Sequence, residues 1–312
     1  MTESQTKSPL DPMAPGVTPL DREWLRSAVR ATLDEDLGGF PGRDVTSFAT
    51  ISPSEQVTAH LMARQDGVVA GLAALPEALT QVAERFGMGE VAVSFDVQDG
   101  ARVTAGQRLA VLTAPVQALL IAERSLLNLA SRASGVATAT RRFADILLET
   151  GTGAMVLDTR KTTPMLRELD KYAVRAGGGT NKRMGLYDVA MVKDNHVVAA
   201  GSVSAAVAAV RAMFPDVLIQ VEADTFDQAI EAVNAGARFL LLDNMSNEEM
   251  ARVVAALRPR EPEIGKVELE ATGTVTLERA AGIAATGVDY MSVGALTHSA
   301  PILDLALDLV SR

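Results

Sequence analysis

The chain has 312 residues, with 29 Lys+Arg against 39 Asp+Glu and a net charge near -10. That length suits one large domain or two ordinary ones, and 48% hydrophobic residues supply a core, which excludes global disorder. The acidic balance excludes a general nucleic-acid binder, and the absence of cysteine excludes disulfides, thiolate nucleophiles, zinc–thiolate sites and iron–sulfur clusters.

Residues 1–19 carry Pro9, Pro12, Pro15 and Pro19 among serines and threonines. No apolar stretch follows a basic start, so a disordered tail is expected there and not a signal peptide. The spacing of Trp24, Leu25, Ala28, Val29 and Leu33 predicts a helix capped by Asp21. Asp44-Val45-Thr46-Ser47 then leads towards strand-like segments over Val57–Arg64, Val68–Ala70, Val91–Asp96 and Arg108–Thr113, with a helix over Pro76–Phe86. This irregular mixture reads as α+β. Helices are expected over Gln117–Ser131 and Val136–Glu149, on either side of Gly135.

From Met155 onward the texture changes. Short apolar strands are expected at Met155–Asp158, Val189–Val192, Val217–Glu222, Phe239–Asp243, Val267–Glu270 and Tyr290–Val293, with helices at Val203–Met213, Thr225–Ala235, Asn247–Leu257 and Thr276–Ala285. Such repetition predicts a parallel α/β barrel or a doubly wound sheet. No G-x-G-x-x-G opens a helix after the first strand, which disfavours a dinucleotide fold. In a barrel, the strand C-terminal ends carry the active site.

Those ends are polar throughout. Only six lysines occur, and four lie between Lys161 and Lys193. The window Thr159–His196 holds eight basic and four acidic residues, so a +4 island sits in a body near -14. Such an island suggests an anionic small ligand. Within it, Arg160, Lys161 and Lys193 follow strands, and Lys182 and Arg183 follow Gly177-Gly178-Gly179, whose glycines would let backbone approach a ligand or simply form a flexible turn. Arg167, Lys171 and Arg175, spaced four apart, read as a solvated helix face. Glu222 and Asp243 end neighbouring strands, where a carboxylate pair can hold ribose hydroxyls, bind Mg²⁺ or stabilise positive charge on a sugar. Asp224 and Asn244 are candidate helix caps. Thr272-Gly273-Thr274 and Gly294 suit a phosphate, with His298 nearby, while three scattered histidines make no zinc site.

The run TRKTTPMLRELDKYAVRAGGGTNKRMGLYDVAMVKDNHV, with EDLGGFPGRDVTS, AERSLLNLASRASGVATATR, VEADT, LLDN and VGALTHSAPILDLALDL, resembles the quinolinate phosphoribosyltransferase family, over nearly the whole chain after residue 20. The resemblance implies an N-terminal α/β sandwich domain over residues 20–132 and an open, TIM-like parallel α/β barrel over 133–299, with a C-terminal helix over 300–312 returning to the sandwich. It implies transfer of a phosphoribosyl group from phosphoribosyl pyrophosphate to quinolinate, giving nicotinate mononucleotide, pyrophosphate and CO₂ in NAD biosynthesis, with Mg²⁺ as cofactor. It implies a cytoplasmic homodimer or hexamer with shared active sites. By matching motif, Arg160, Lys161, Arg183 and Lys193 hold the quinolinate carboxylates, and Arg124 reaches the same ligand from the partner; Thr159 and Lys182 are further substrate-binding candidates. Lys161, Glu222 and Asp243 are the catalytic candidates. Glu222 and Asp243 face the ribose and its Mg²⁺, directly or at one remove, while Thr272, Gly273, Thr274, Gly294 and His298 hold the phosphate end. The family usually has Asn-His-Arg where this chain has Asn181-Lys182-Arg183, and Ser-Gly-Gly where it has Thr272-Gly273-Thr274. The alternatives are a barrel enzyme acting on another pyridine, or an aldolase or decarboxylase with Lys161 or Lys193 as Schiff-base lysine. A biotinyl-type carrier, suggested by DGARVTAGQRL, fails because no lysine lies between Lys7 and Lys161.

Overall fold

A computed structural model describes residues 18–310. The tail expected over residues 1–19 falls almost wholly outside them. In chain order the first elements are α1 (Arg22–Leu37), α2 (Val45–Thr50), β1 (Gln56–Ala63), β2 (Gly67–Val68), α3 (Ala74–Phe86), β3 (Ala92–Phe95), β4 (Arg102–Val103), β5 (Arg108–Pro115) and α4 (Val116–Thr150). Then come β6 (Met155–Leu157), α5 (Arg167–Ala176), β7 (Val189–Val192), α6 (Asp194–Ala200), α7 (Val203–Met213), β8 (Leu218–Ala223) and α8 (Phe226–Asn234). The chain closes with β9 (Phe239–Asp243), α9 (Asn247–Leu257), α10 (Glu261–Ile264), β10 (Glu268–Thr272), α11 (Leu277–Ala284), β11 (Tyr290–Ser292), α12 (Ala295–His298) and β12 (Leu305–Leu309). Two compact units result. One takes the described parts of Pro15–Arg141, Thr162–Gly178 and Ser299–Arg312, the other Arg142–Lys161 and Gly179–His298.

The first unit is an antiparallel sheet with helices. Its strand order is β12-β1-β5-β3. Asp21 caps α1 by accepting from the Trp24 amide, and the buried stripe Leu25, Val29, Leu33 and Leu37 recurs every fourth residue, the period of one helix face. Four sequence expectations are corrected here. Residues 45–50 form a short helix, because the Asp44 carboxylate accepts from the Thr46 and Ser47 amides and nucleates a turn. Residues 305–309 form a strand and not a helix: Leu305, Leu307 and Leu309 alternate with period two, and β12 pairs antiparallel with β1. The two helices expected around Gly135 are one, α4. Gly135 does not break it; the missing side chain makes room for the backbone of Pro301, whose carbonyl oxygen would lie 2.0 Å from an added Cβ. Lastly, Arg167, Lys171 and Arg175 are no solvated face. Lys171 is buried and the Arg175 guanidinium lies over the Tyr172 ring.

The second unit is the open barrel sheet. Its six parallel strands run in the order β6-β11-β10-β9-β8-β7. Among the described residues no ladder joins β6 to β7, so the sheet stays open at that seam. Leu157, Phe239, Leu241 and Tyr290 form an apolar cluster, with Met155 and Met191 against it. Side chains alternate along a strand, so this parity also decides which strand residues share a face with Leu241 and Asp243. Local signals start the helices: Thr225 with Gln228 and Ser246 with Glu249 make capping boxes for α8 and α9, and Ser202 caps α7. Among the described residues no single helix is long and apolar enough to cross a membrane, though the α6–α7 pair, bent by 87°, together reaches that composition.

Candidate active site

The C-terminal ends of β6 to β11 surround a cavity of about 640 Å³. Thr159, Arg160 and Lys161 follow β6, Lys193 follows β7, Glu222 lies in β8, Asp243 ends β9, Thr272 ends β10, and Gly294 follows β11. Lys182 and Arg183 enter from the segment before β7. With Gly273 and Thr274, twelve of the fourteen residues singled out in the sequence therefore line one cavity. The other two stand elsewhere. Arg124 is exposed on α4 in the first unit, and His298 is exposed at the end of α12, against Gly294. The triple glycine is not in the cavity wall either. Gly177 packs where a Cβ would meet the Ala137 carbonyl oxygen at 2.4 Å, and Gly178 adopts φ +88°, so these glycines serve close approach to α4.

Five cations face the cavity, and their pairing divides them. Lys193 Nζ donates to Glu222 Oε2 at 2.5 Å, and Lys182 Nζ to Glu270 Oε1 at 2.6 Å. Arg160, Lys161 and Arg183 have no ion pair among the described residues, which leaves their charge for a ligand. Burial, followed by repulsion from Arg160, pushes the Arg183 guanidinium below its ordinary pKa. Its Nε is a buried donor with no acceptor among the described residues, while Nη1 donates to the Val189 carbonyl. Like charges held together this way are costly unless an anion joins them.

Asp158, fully buried, braces the loop that carries Lys182. Its two oxygens accept from Asn181 Nδ2 at 2.6 Å and from the Lys182 amide at 2.9 Å. On the other side, ligand oxygens of Glu222, Asp224 and Asp243 lie within 4.8 Å of one another. Neither Asp224 nor Asn244 caps a helix, since Thr225 and Ser246 do so. Asn244 sits at φ +53° and donates to Asp243 Oδ2 at 2.9 Å. Gly273, at φ +104°, passes so close to Asn244 that a Cβ would lie 2.2 Å from its Oδ1, so glycine is required there. The Thr297 hydroxyl donates to the Lys161 carbonyl at 2.9 Å and ties α12 to the β6 loop.

Asp224, Asn244, Met191, Leu241 and Ser292 are site residues that the sequence reading left out of the site. Asp224 and Asn244 were visible as polar strand ends but carried a competing role as caps. Met191, Leu241 and Ser292 follow only from strand parity once the register is known. A Schiff-base lysine requires a desolvated, uncharged amine. Lys193 is instead ion-paired and partly exposed, and Lys161 is exposed.

Comparison with known proteins agrees with this arrangement. The family model for "Quinolinate phosphoribosyl transferase, N-terminal domain" matches residues 44–134, and that for the C-terminal domain matches residues 136–308. The chain is 44% identical over 284 residues, covering 91% of it and 96% of its relative, to a nicotinate-nucleotide pyrophosphorylase [carboxylating] of Mycobacterium leprae. It is 37% identical over 300 residues to a quinolinate phosphoribosyltransferase [decarboxylating] of Nicotiana glauca, covering 91% of the chain and 82% of the relative. Among solved structures, the nicotinate-nucleotide pyrophosphorylase of Ehrlichia chaffeensis superposes with a TM-score of 0.84 at 33% identity, covering 94% of this chain and 100% of that one.

Proposed function

The chain belongs to the quinolinate phosphoribosyltransferase family, and from that premise we infer that its cavity joins quinolinate to phosphoribosyl pyrophosphate, releasing pyrophosphate and CO₂ and leaving nicotinate mononucleotide for NAD synthesis. The observation that carries this reading is the division of charge in one cavity: three cations in no ion pair among the described residues, and a cluster of carboxylates at the neighbouring strand ends.

Quinolinate brings two carboxylates, and Arg160, Lys161 and Arg183 supply the charge to hold them. The arginine forks match carboxylates geometrically. The ring nitrogen attacks the sugar C1, forming the N–C1 bond as the C1–O bond to pyrophosphate breaks. Positive charge develops on the sugar, and Glu222 and Asp243 stabilise it. The bond to the 2-carboxylate then breaks; its electron pair stays on the ring, stabilised by the cationic nitrogen, and a proton from water replaces CO₂. Backbone amides around Thr272, Gly273, Thr274 and Gly294 hold the phosphate end, with His298 close by. No protein nucleophile is needed.

Mg²⁺ fits the donor set. Glu222, Asp224 and Asp243 offer hard carboxylate oxygens at ligating separation. When bound, Mg²⁺ neutralises charge on the departing pyrophosphate. Lys193, paired with Glu222, lines the same cavity and serves either anion. We assign Arg124 to the active site of a second copy, which makes the working enzyme a homodimer or a hexamer built from dimers. A chain without cysteine suits the reducing cytosol.

Purified protein incubated with quinolinate, phosphoribosyl pyrophosphate and Mg²⁺ should form nicotinate mononucleotide. Nicotinate, which lacks the second carboxylate, should be a poor acceptor. Folded protein that forms no product from quinolinate overturns the reading.

A further inference from the structure

Behind the cavity wall, Glu270 on β10 is fully buried and has no role in the chemistry described above. One of its oxygens, Oε1, accepts from Lys182 Nζ at 2.6 Å and from the Ser292 hydroxyl. Lys182 and Ser292 both line the cavity; Glu270 does not. Its other oxygen, Oε2, is buried and meets no donor among the described residues. Burying a carboxylate with one oxygen unsatisfied costs folding free energy, and apolar side chains in place of a whole buried ion pair are often neutral or better. Leu157, Leu241 and Tyr290 show that this interior accepts apolar groups. Glu270 offsets the charge of buried Lys182, but stability gives no reason for the pair as a whole.

The geometry of Lys182 gives one. Its backbone amide is held by Asp158 and its ammonium by Glu270, so a side chain that is ordinarily mobile is fixed at both ends. Its charge is also compensated within the protein, unlike those of Arg160, Lys161 and Arg183. We propose that Glu270 is a positioning residue for phosphoribosyl transfer: it pins Lys182 as a charge-compensated donor of fixed position in the cavity wall. Lys182 then orients the bound acid and adds nothing to the electrostatic capture of its carboxylates. A flexible lysine needs such an anchor more than a rigid ring would. The inference rests on the phosphoribosyltransferase reading of the cavity.

Orientation and capture separate in steady-state kinetics, because lost orientation lowers kcat while lost capture raises KM. Glu270→Gln should lower kcat about 10- to 100-fold, with the KM for quinolinate changed less than threefold. Lys182→Met should do the same. The double variant should be no worse than the poorer single one, because the two residues act as a unit. Ser292→Ala, which keeps the ion pair but removes the second donor to Oε1, should lower kcat two- to fivefold, and it carries the test if Glu270→Gln does not fold. An unchanged kcat, a rise in KM in place of the fall in kcat, or multiplicative losses in the double variant overturns the proposal. Wild-type protein is the control. If it does not turn over quinolinate, the proposed function fails; if it does and the variants behave normally, only the role of Glu270 fails.

Discussion

Arg160 and Arg183 both line the cavity, neither in an ion pair among the described residues, and burial together with repulsion from Arg160 outweighs the pull of Asp188 and lowers the pKa of Arg183. An arginine stays cationic throughout the physiological range, so this strain is electrostatic and an incoming dianion relieves it. Arg160→Ala should therefore raise the KM for quinolinate and lower kcat/KM about 10²- to 10³-fold, the cost of truncating one partner of a desolvated charge pair. The KM for phosphoribosyl pyrophosphate should move little, and initial-rate kinetics with each substrate varied will separate the two. At this scale the sequence was informative where chemistry coincides with position: five of the eight basic residues crowded into the Thr159–His196 window line the cavity, while Arg167, Lys171 and Arg175 serve packing elsewhere. It was silent on Ser292, and it showed Glu270 only as one polar strand end among six, with no sign of its partner. Only the pairing of β10 with β11 brings them together.

Two contacts within the first unit show what holds its elements in register. Gly135 lies in mid-helix, where alanine would normally be favoured by about 1 kcal/mol. An added Cβ would meet the Pro301 carbonyl oxygen at 2.0 Å and the Ile302 Cα at 2.8 Å. Overpacking against backbone costs about 1–3 kcal/mol or more, and it wins. Gly135→Ala should lower the urea midpoint of unfolding, despite its better helix propensity. The second contact joins α5 to the loop before β4. The Tyr172 hydroxyl donates to Asp99 Oδ2 at 2.5 Å, and the Gly71 and Leu72 amides donate to the same carboxylate. Burial raises the Asp99 pKa above its ordinary 3.8, against the pull of these donors. A carboxyl with a raised folded-state pKa favours folding below its unfolded pKa, and that contribution is lost as pH rises through the folded value. Tyr172→Phe removes a donor to the charged form and so raises the folded pKa further. It should cost about 1–3 kcal/mol near neutral pH, and less at pH 5 than at pH 7, as urea unfolding at the two values will show. Element prediction succeeded where one period dominated, as in α7, α9, β7 and β9. It failed where a long-range contact decided the matter: a strand partner for residues 305–309, a backbone neighbour for Gly135, a buried environment for Lys171.

Over the whole chain, the net charge of -10 averages an acidic body with one cationic cradle, and five of the eight basic residues of that cradle line the cavity. Arg124 is basic and belongs to the matched motifs, yet it is exposed and outside the cavity wall. If it completes the site of a second copy, Arg124→Ala and Arg160→Ala proteins, each inactive alone, should complement when mixed under conditions that exchange subunits. Random dimers would regain about a quarter of wild-type activity, because half are mixed and one of their two sites is intact. No recovery after verified exchange would place both residues in the same subunit's site. The central claim is that one cavity couples phosphoribosyl transfer to loss of a carboxylate, with transfer first. It is tested most directly by supplying quinolinate labelled in the 2-carboxylate and counting labelled CO₂ against pyrophosphate. The account predicts one CO₂ per pyrophosphate and none without phosphoribosyl pyrophosphate. CO₂ released in the absence of that substrate, or pyrophosphate formed without CO₂, would contradict it.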